Sequence, residues 1–382
     1  MPQLYGGGSS GSEPAVYVPD GALDQWIAAR SAPRVCPVVM VGDSILRGAN
    51  ATALADRHFA AVTMAALQAR YGNAGEGFHG VWDTTDASYG GGTNYSAKSR
   101  PCWSYAGNWA DWFSYGLGGQ ARVSGAMGAA ATGQFIGTTV DVWVGQNGGG
   151  GPFTVQVDGV SYDANGVANG GGGNPSCNNG GIVSPVKAVS ITGLVPGSHT
   201  IVLTQAGAQT LILHGITAYS GVGRGILPYP LGISGRSLWQ AAVNTTADTP
   251  KGSVEFLQPQ PKLVVIEHVV NDMQQQIAYD TFEYQARRYC DSARMAGASV
   301  VFVIPCIGPL AGNWLNNTYA HFYIDRIYNL ARRFGCAVLD INAAWEALGP
   351  TAVAGLITGG GNSHPSDAGH ADIAARLIAL LA

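Results

Sequence analysis

Residues 35–48 read VCPVVMVGDSILRG. Residues 35–42 form an apolar run that stops at Gly42, as a buried strand does. Asp43 and Ser44 then fall in a tight turn. ALADRHFAAVTMAALQARYG (residues 53–72) follows with helical spacing of its apolar positions and Gly72 as a stop. Strand, turn and helix make one α/β unit, with Ser44 expected beside a helix N-terminus. The same alternation returns from residue 232. Residues 262–270, 298–305 and 336–341 read as strands, and residues 279–297, 318–335 and 366–382 as helices, the last capped by Ser366 or Asp367. Repeated alternation predicts a parallel sheet with helices on both faces. With right-handed crossovers this is a three-layer doubly wound domain. Its sites belong at the carboxyl ends of the strands. The loops after residues 42, 232, 270, 305 and 341, and the loop before the last helix, are therefore where chemistry is expected.

The middle of the chain has another character. Residues 139–146, 153–159, 187–194, 199–205 and 210–220 alternate apolar and polar positions between Gly-, Asn- and Ser-rich turns. That pattern predicts an antiparallel β-sandwich or jelly roll inserted into the α/β domain. The expected division is an N-terminal arm at 1–30, the first part of the α/β domain at 31–85, the insertion at 86–220 and the second part at 221–382. GNAGEGFHGVW (residues 72–82) reads as a loop between the two, and residues 22–30 as one short helix in the arm.

The 382 residues carry 20 basic and 24 acidic side chains, a net charge of −4. That balance argues against a nucleic-acid partner, which would need a basic face. No apolar run is long enough for a transmembrane helix, and no Sec-type signal is visible. Six cysteines are too few for a disulfide scaffold at this length. Cys36, Cys290, Cys306 and Cys336 read as buried thiols, while Cys102 and Cys177, both in the Gly-rich middle, are a candidate pair. No spacing suggests a metal site, and no cofactor motif stands in a strand–turn–helix context. Gly7 to Gly11 fit G-x-S-x-G literally, but no strand precedes them, so they read as linker.

The chemistry-bearing residues fall in the expected loops. Ser44 follows the first strand, Gly235 lies in LGISGRS, Asn271 and Asp272 follow the strand at 262–270, and His364 precedes the last helix. A serine hydrolase needs a nucleophile, a base touching it, and donors aimed at the developing oxyanion. Ser44 and His364 supply the first two. The backbone N–H groups of Ser44 and Gly235 and the Asn271 amide supply the donors. Each residue also has a plainer reading: a helix cap for Ser44, a loop histidine for His364, a strand-end turn for Asn271. Asp43 reads as a local hydrogen-bonding partner of the turn, and His268 and His370 as structural.

Gly42-Asp43-Ser44, Gly235, Asn271-Asp272 and His364-Pro365, in that order, resemble the four blocks of the SGNH, or GDSL, hydrolase superfamily of esterases, lipases and acetylesterases. The likeness covers about residues 33–80 and 225–382. It implies a flavodoxin-like fold, a serine ester hydrolase and the Ser and His roles just given. Two positions depart from the family pattern. Gly361 stands where the family has the Asp that orients the imidazole, and Val269 stands where it has Gly. A carbonyl near Gly361, Asn362 or Asp340 is left to hold the ring, or Ser44 and His364 act as a pair.

The expected function is ester hydrolysis through an acyl-enzyme, on acylated carbohydrate or an envelope glycolipid, with Trp103, Trp109, Trp112 and Trp143 of the insertion as candidate sugar-binding aromatics. The rival reading is a degenerate hydrolase fold serving as a glycan-binding or structural module. The Gly-rich arm, the inserted sandwich and four lysines against sixteen arginines also resemble hydrolase domains of actinobacterial phage tails. In that setting residues 1–30 would dock on a virion. The compartment is left open.

Overall fold

The computed structural model describes residues 14–52, 57–81, 103–113, 117, 120–178, 184–238, 260–307, 317–358 and 364–382. The strands are β1 (Val16–Tyr17), β2 (Val35–Gly42), β3 (Gly77–Gly80), β4 (Trp103–Ala106), β5 (Ala110–Phe113), β6 (Gln120–Ser124), β7 (Ala130–Gly137), β8 (Thr139–Gln146), β9 (Phe153–Val157), β10 (Val160–Tyr162), β11 (Ser184–Ile191), β12 (Gly197–Gln205), β13 (Leu211–Tyr219), β14 (Gly225–Gly232), β15 (Leu263–Glu267), β16 (Ser299–Ile304) and β17 (Ala337–Asp340). The helices are α1 (Asp24–Arg30), α2 (Phe59–Tyr71), α3 (Val270–Gln274), α4 (Tyr279–Met295), α5 (Asn317–Phe334), α6 (Ile341–Glu346), α7 (Pro350–Ala354) and α8 (Asp367–Leu381).

A six-stranded sheet in the order β1-β17-β16-β15-β2-β14 organises the α/β domain. Its five long strands are parallel, and β1 adds an antiparallel edge through Val16–Leu339 and Tyr17–Val338. Successive side chains of a strand point to opposite faces. Val39, Val41, Val264, Ile266, Phe302 and Val338 thus pack beneath α4 and α5. Val38, Met40, Leu263, Val265, Val303 and Leu339 pack beneath α1, α2 and α8. Both faces are apolar, which is why these strands read as unbroken apolar runs.

Residues 14–30 are tied into this domain. Trp26 is fully buried and donates from Nε1 to the Leu381 carbonyl at 2.8 Å. The Tyr328 hydroxyl donates to the Pro14 carbonyl, and Asp340 N–H to the Ala15 carbonyl. Burying an indole and forming strand pairs stabilises this segment well beyond what a free linker gains.

The insertion is a sandwich of two antiparallel sheets, β10-β9-β12-β7-β4 and β11-β8-β13-β6-β5. Val140, Val142 and Val144 of one sheet meet Val155, Val157, Ile201 and Leu203 of the other in a shared core. The expected loop at 72–82 differs in one respect: Gly77–Gly80 is a strand, β3, paired with β13. Gly77 has φ +81°, and a Cβ there would lie 2.0 Å from the Pro228 carbonyl oxygen. Glycine therefore lets β3 press against β14, which joins sandwich to α/β domain. Phe78 and Trp143 of the sandwich pack in one core with Tyr229 and Leu231 of β14.

Two local expectations change, and one pair of alternatives is decided. The strand expected at 262–270 ends at Glu267, and α3 begins at Val270. Residues 44–50 form a run of turns, and α2 runs from Phe59 to Tyr71. Ser366 is the cap of α8, accepting from Gly369 N–H at 3.3 Å, whereas Asp367 takes the Thr52 N–H, the Thr52 hydroxyl and Arg57. Cys36, Cys177, Cys290, Cys306 and Cys336 are buried free thiols. Cys102 lies outside the described residues, as do residues 1–13 of the arm.

Candidate active site

Strand order alone brings the candidate residues together. β2 lies between β15 and β14, so the turn after β2 is flanked by the ends of both neighbours. Connections diverge on either side of β2, the kind of switch point where open α/β sheets bind ligands. Ser44 leaves β2, Asn271 follows β15 and Gly235 follows β14. His364 arrives from the other side, just before α8, which packs on α2.

The Ser44 hydroxyl and His364 Nε2 are 2.7 Å apart. Ser44 is half-buried, open enough to meet a substrate. Burial holds the His364 pKa below its usual value, so the ring is a neutral acceptor at pH 7. Its main chain is pinned by a bridge between Ile357 and Pro365 and by the Thr358 N–H and hydroxyl, both donating to the His364 carbonyl. Asn50 Nδ2 donates to the Thr358 hydroxyl at 2.7 Å, tying this loop to the nucleophile turn.

The turn itself is built on Asp43 and Gly42. Asp43 Oδ1 accepts from Ile45 N–H at 2.8 Å, and Oδ2 accepts from Asn271 Nδ2 at 2.8 Å. Asn271 is 7% exposed, so that bond fixes the amide beside the nucleophile. Gly42 admits no side chain, since a Cβ would sit 2.6 Å from Glu267 Oε2 and 2.7 Å from Leu46 Cβ. Gly235 has φ +75°, a conformation glycine adopts without strain. Its carbonyl accepts from Gln275 Nε2 at 3.1 Å. The Asp272 carboxylate accepts Leu238 N–H at 2.8 Å and so anchors the loop that carries Gly235. Val269, one of the two departures, is fully buried in the core just before α3.

The other departure concerns the imidazole. Gly361 and Asn362 lie outside the described residues. The Asp340 carboxyl, 2% exposed, caps α6 through Ala343 N–H at 2.8 Å and accepts from the Tyr328 hydroxyl at 3.2 Å; neither bond reaches His364. Burial raises the Asp340 pKa to about 6. His268 and His370 are buried, and His370 Nε2 donates to the Ala49 carbonyl at 3.1 Å. Thr358 and Glu267 were not singled out in the sequence. Glu267 carried the one visible signal, a carboxyl inside an apolar strand run.

Residues 215–371 match the model of the GDSL-like Lipase/Acylhydrolase family. That segment is thus similar to GDSL-like acylhydrolases, which supports a carboxylic ester hydrolase. The matched segment holds Gly235, Asn271 and His364. It starts within β13, the last strand of the sandwich, and the rest of the insertion separates it from Ser44. A solved structure of a peptidoglycan O-acetylesterase superposes with TM-score 0.66 at 16% identity, covering 96% of this chain and 98% of that one. A family 2 carbohydrate esterase with a carbohydrate-binding domain from Corynascus thermopiles (Myceliophthora fergusii) aligns over 72% of this chain and 99% of its own at 13% identity, with TM-score 0.29. No curated protein matches the chain by sequence. Among the described residues, no helix is long and apolar enough to cross a membrane.

Proposed function

We propose that the chain is a Ser–His O-acylesterase acting on acylated carbohydrate. The observation that carries this reading is the 2.7 Å contact between the Ser44 hydroxyl and His364 Nε2. Neutral His364 takes the Ser44 proton as the hydroxyl oxygen attacks the ester carbonyl. The carbonyl oxygen, now negative, is met by the Ser44 and Gly235 N–H groups and the Asn271 amide. His364 returns the proton to the leaving alcohol, and water then releases the acyl group by the same steps. The carbohydrate part of the reading is supported by a likeness that runs through the sandwich as well as the α/β domain, to a peptidoglycan O-acetylesterase.

Hydrolysis of p-nitrophenyl acetate, butyrate and octanoate by wild type, Ser44→Ala and His364→Ala tests the mechanism. Loss by several orders of magnitude in both variants is expected. An unchanged rate in Ser44→Ala would sink it. Release of acetate from acetylated polysaccharide, with little activity on the octanoate ester, is the expected substrate pattern. A preference for octanoate would favour a lipase.

A further inference from the structure

Directly beneath the nucleophile turn lies a second carboxyl that the proposed mechanism does not use. Glu267 ends β15, opposite Gly42 of β2, and its side chain is wholly buried. Oε2 accepts two backbone N–H groups of the turn, Asp43 and Leu46, each at 3.2 Å. Oε1 is buried, and among the described residues no donor reaches it. The Asp43 carboxyl, itself 1% exposed, is buried beside it, on the residue whose N–H Oε2 accepts. Two acceptors cannot bond to each other without a proton between them. Two buried negative charges side by side are also far costlier than one shared proton.

We propose that Glu267 is a positioning residue, a neutral carboxylic acid whose proton bonds to Asp43. Asp43 keeps the charge because it has donors for both of its oxygens, Ile45 N–H and Asn271 Nδ2. Among the described residues, Glu267 has only the two longer backbone bonds to one oxygen. Burial and the neighbouring Asp43 charge both push the Glu267 pKa up, in the direction this requires. The consequence is a chain of contacts: Glu267 holds the Asp43 and Leu46 N–H groups and the Asp43 carboxylate, and Asp43 holds the Asn271 amide. The turn that presents Ser44 and the donor that meets the oxyanion are thereby referenced to one buried proton.

This inference rests on the Ser44 mechanism for its catalytic part; the proton rests on the burial of two neighbouring carboxyls and the donors each one has. The test separates the two. Glu267→Gln replaces the acid by a neutral group of the same shape that still accepts the N–H groups and donates to Asp43. It is expected to keep kcat on p-nitrophenyl acetate within about threefold. Glu267→Leu removes both, and kcat should fall about 100-fold with KM little changed, the cost of a small misplacement of reacting groups. Circular dichroism checks that each variant is folded. Infrared spectroscopy at pH 7 should show the carbonyl stretch of a buried protonated carboxyl in wild type, absent from Glu267→Gln. That band stands as a test even if Glu267→Leu fails to fold or the wild type hydrolyses no ester. Glu267→Gln as damaged as a folded Glu267→Leu would overturn the proposal, as would full activity in Glu267→Leu or absence of the band.

Discussion

At the scale of the residue, the site depends on protonation states set by burial. His364 must be neutral to accept the Ser44 proton, and burial lowers its pKa. Its protonated form therefore accumulates only below the ordinary histidine value of about 6.5. The acid limb of kcat/KM should lie below that value, with activity flat toward neutral pH. An acid limb above pH 7 would show the opposite shift, the mark of a carboxylate holding the imidazolium, and would place an acid near the ring. The same residues show what the sequence conveys. Ser44, Gly235, Asn271 and His364 were legible because each sits at a strand end or helix start, where the fold delivers side chains to one edge. Glu267 was not: in KLVVIEHVV it reads as one polar letter in a buried strand, and only the register that sets it against Gly42 reveals its partners.

At the scale of the element, His58 is the clearest liability. It precedes α2 at 1% exposure, and among the described residues neither ring nitrogen has a hydrogen-bond partner. Burial, with His370 nearby, pushes its pKa down to about 3. The unfolded chain binds a proton at about 6.5, so between those values the folded state holds fewer protons and stability rises with pH. Stability is thus lost as pH falls from about 6.5 toward 3. His58→Leu should flatten that fall and leave stability at pH 7 equal or higher, because an unpaired polar group is replaced by an apolar one. Melting temperature against pH checks this. His268, also lowered to about 3, retains its own share of the slope. A wild-type slope in His58→Leu would mean that the ring finds a partner. Elements were legible in proportion to their periodicity. β8 spans the expected residues 139–146, and β9 shows alternating burial from Phe153 to Val157. β3 was missed because GFHG has no strand pattern. It is a strand because β13 and β14 receive it, with Gly77 removing the side chain that would collide.

At the scale of the molecule, an α/β hydrolase and a sandwich share a core, so the sandwich is part of the enzyme's frame. Ile233, two residues before Gly235, packs with the sandwich core. Leu117 belongs to the same buried core as Leu238 and Met273. The tryptophans of the insertion divide by burial. Trp103 and Trp143 are 2% and 3% exposed, and Trp143 Nε1 donates to the Thr217 hydroxyl at 2.9 Å, so both serve packing. Trp109 is half-buried, its ring 5.4 Å from Tyr105, which in turn lies under the Arg122 guanidinium at 3.8 Å. An aromatic surface backed by a fixed cation and ring is suited to stacking on the apolar face of a sugar. Trp109→Ala should therefore lower kcat/KM on acetylated polysaccharide roughly tenfold, about 1.4 kcal/mol, and leave p-nitrophenyl acetate hydrolysis unchanged. Trp143→Ala should instead cost about 3–5 kcal/mol of stability and affect both substrates alike. Equal rates on polymer for Trp109→Ala and wild type would remove this face from substrate binding and leave the sandwich as scaffold for the Gly235 loop.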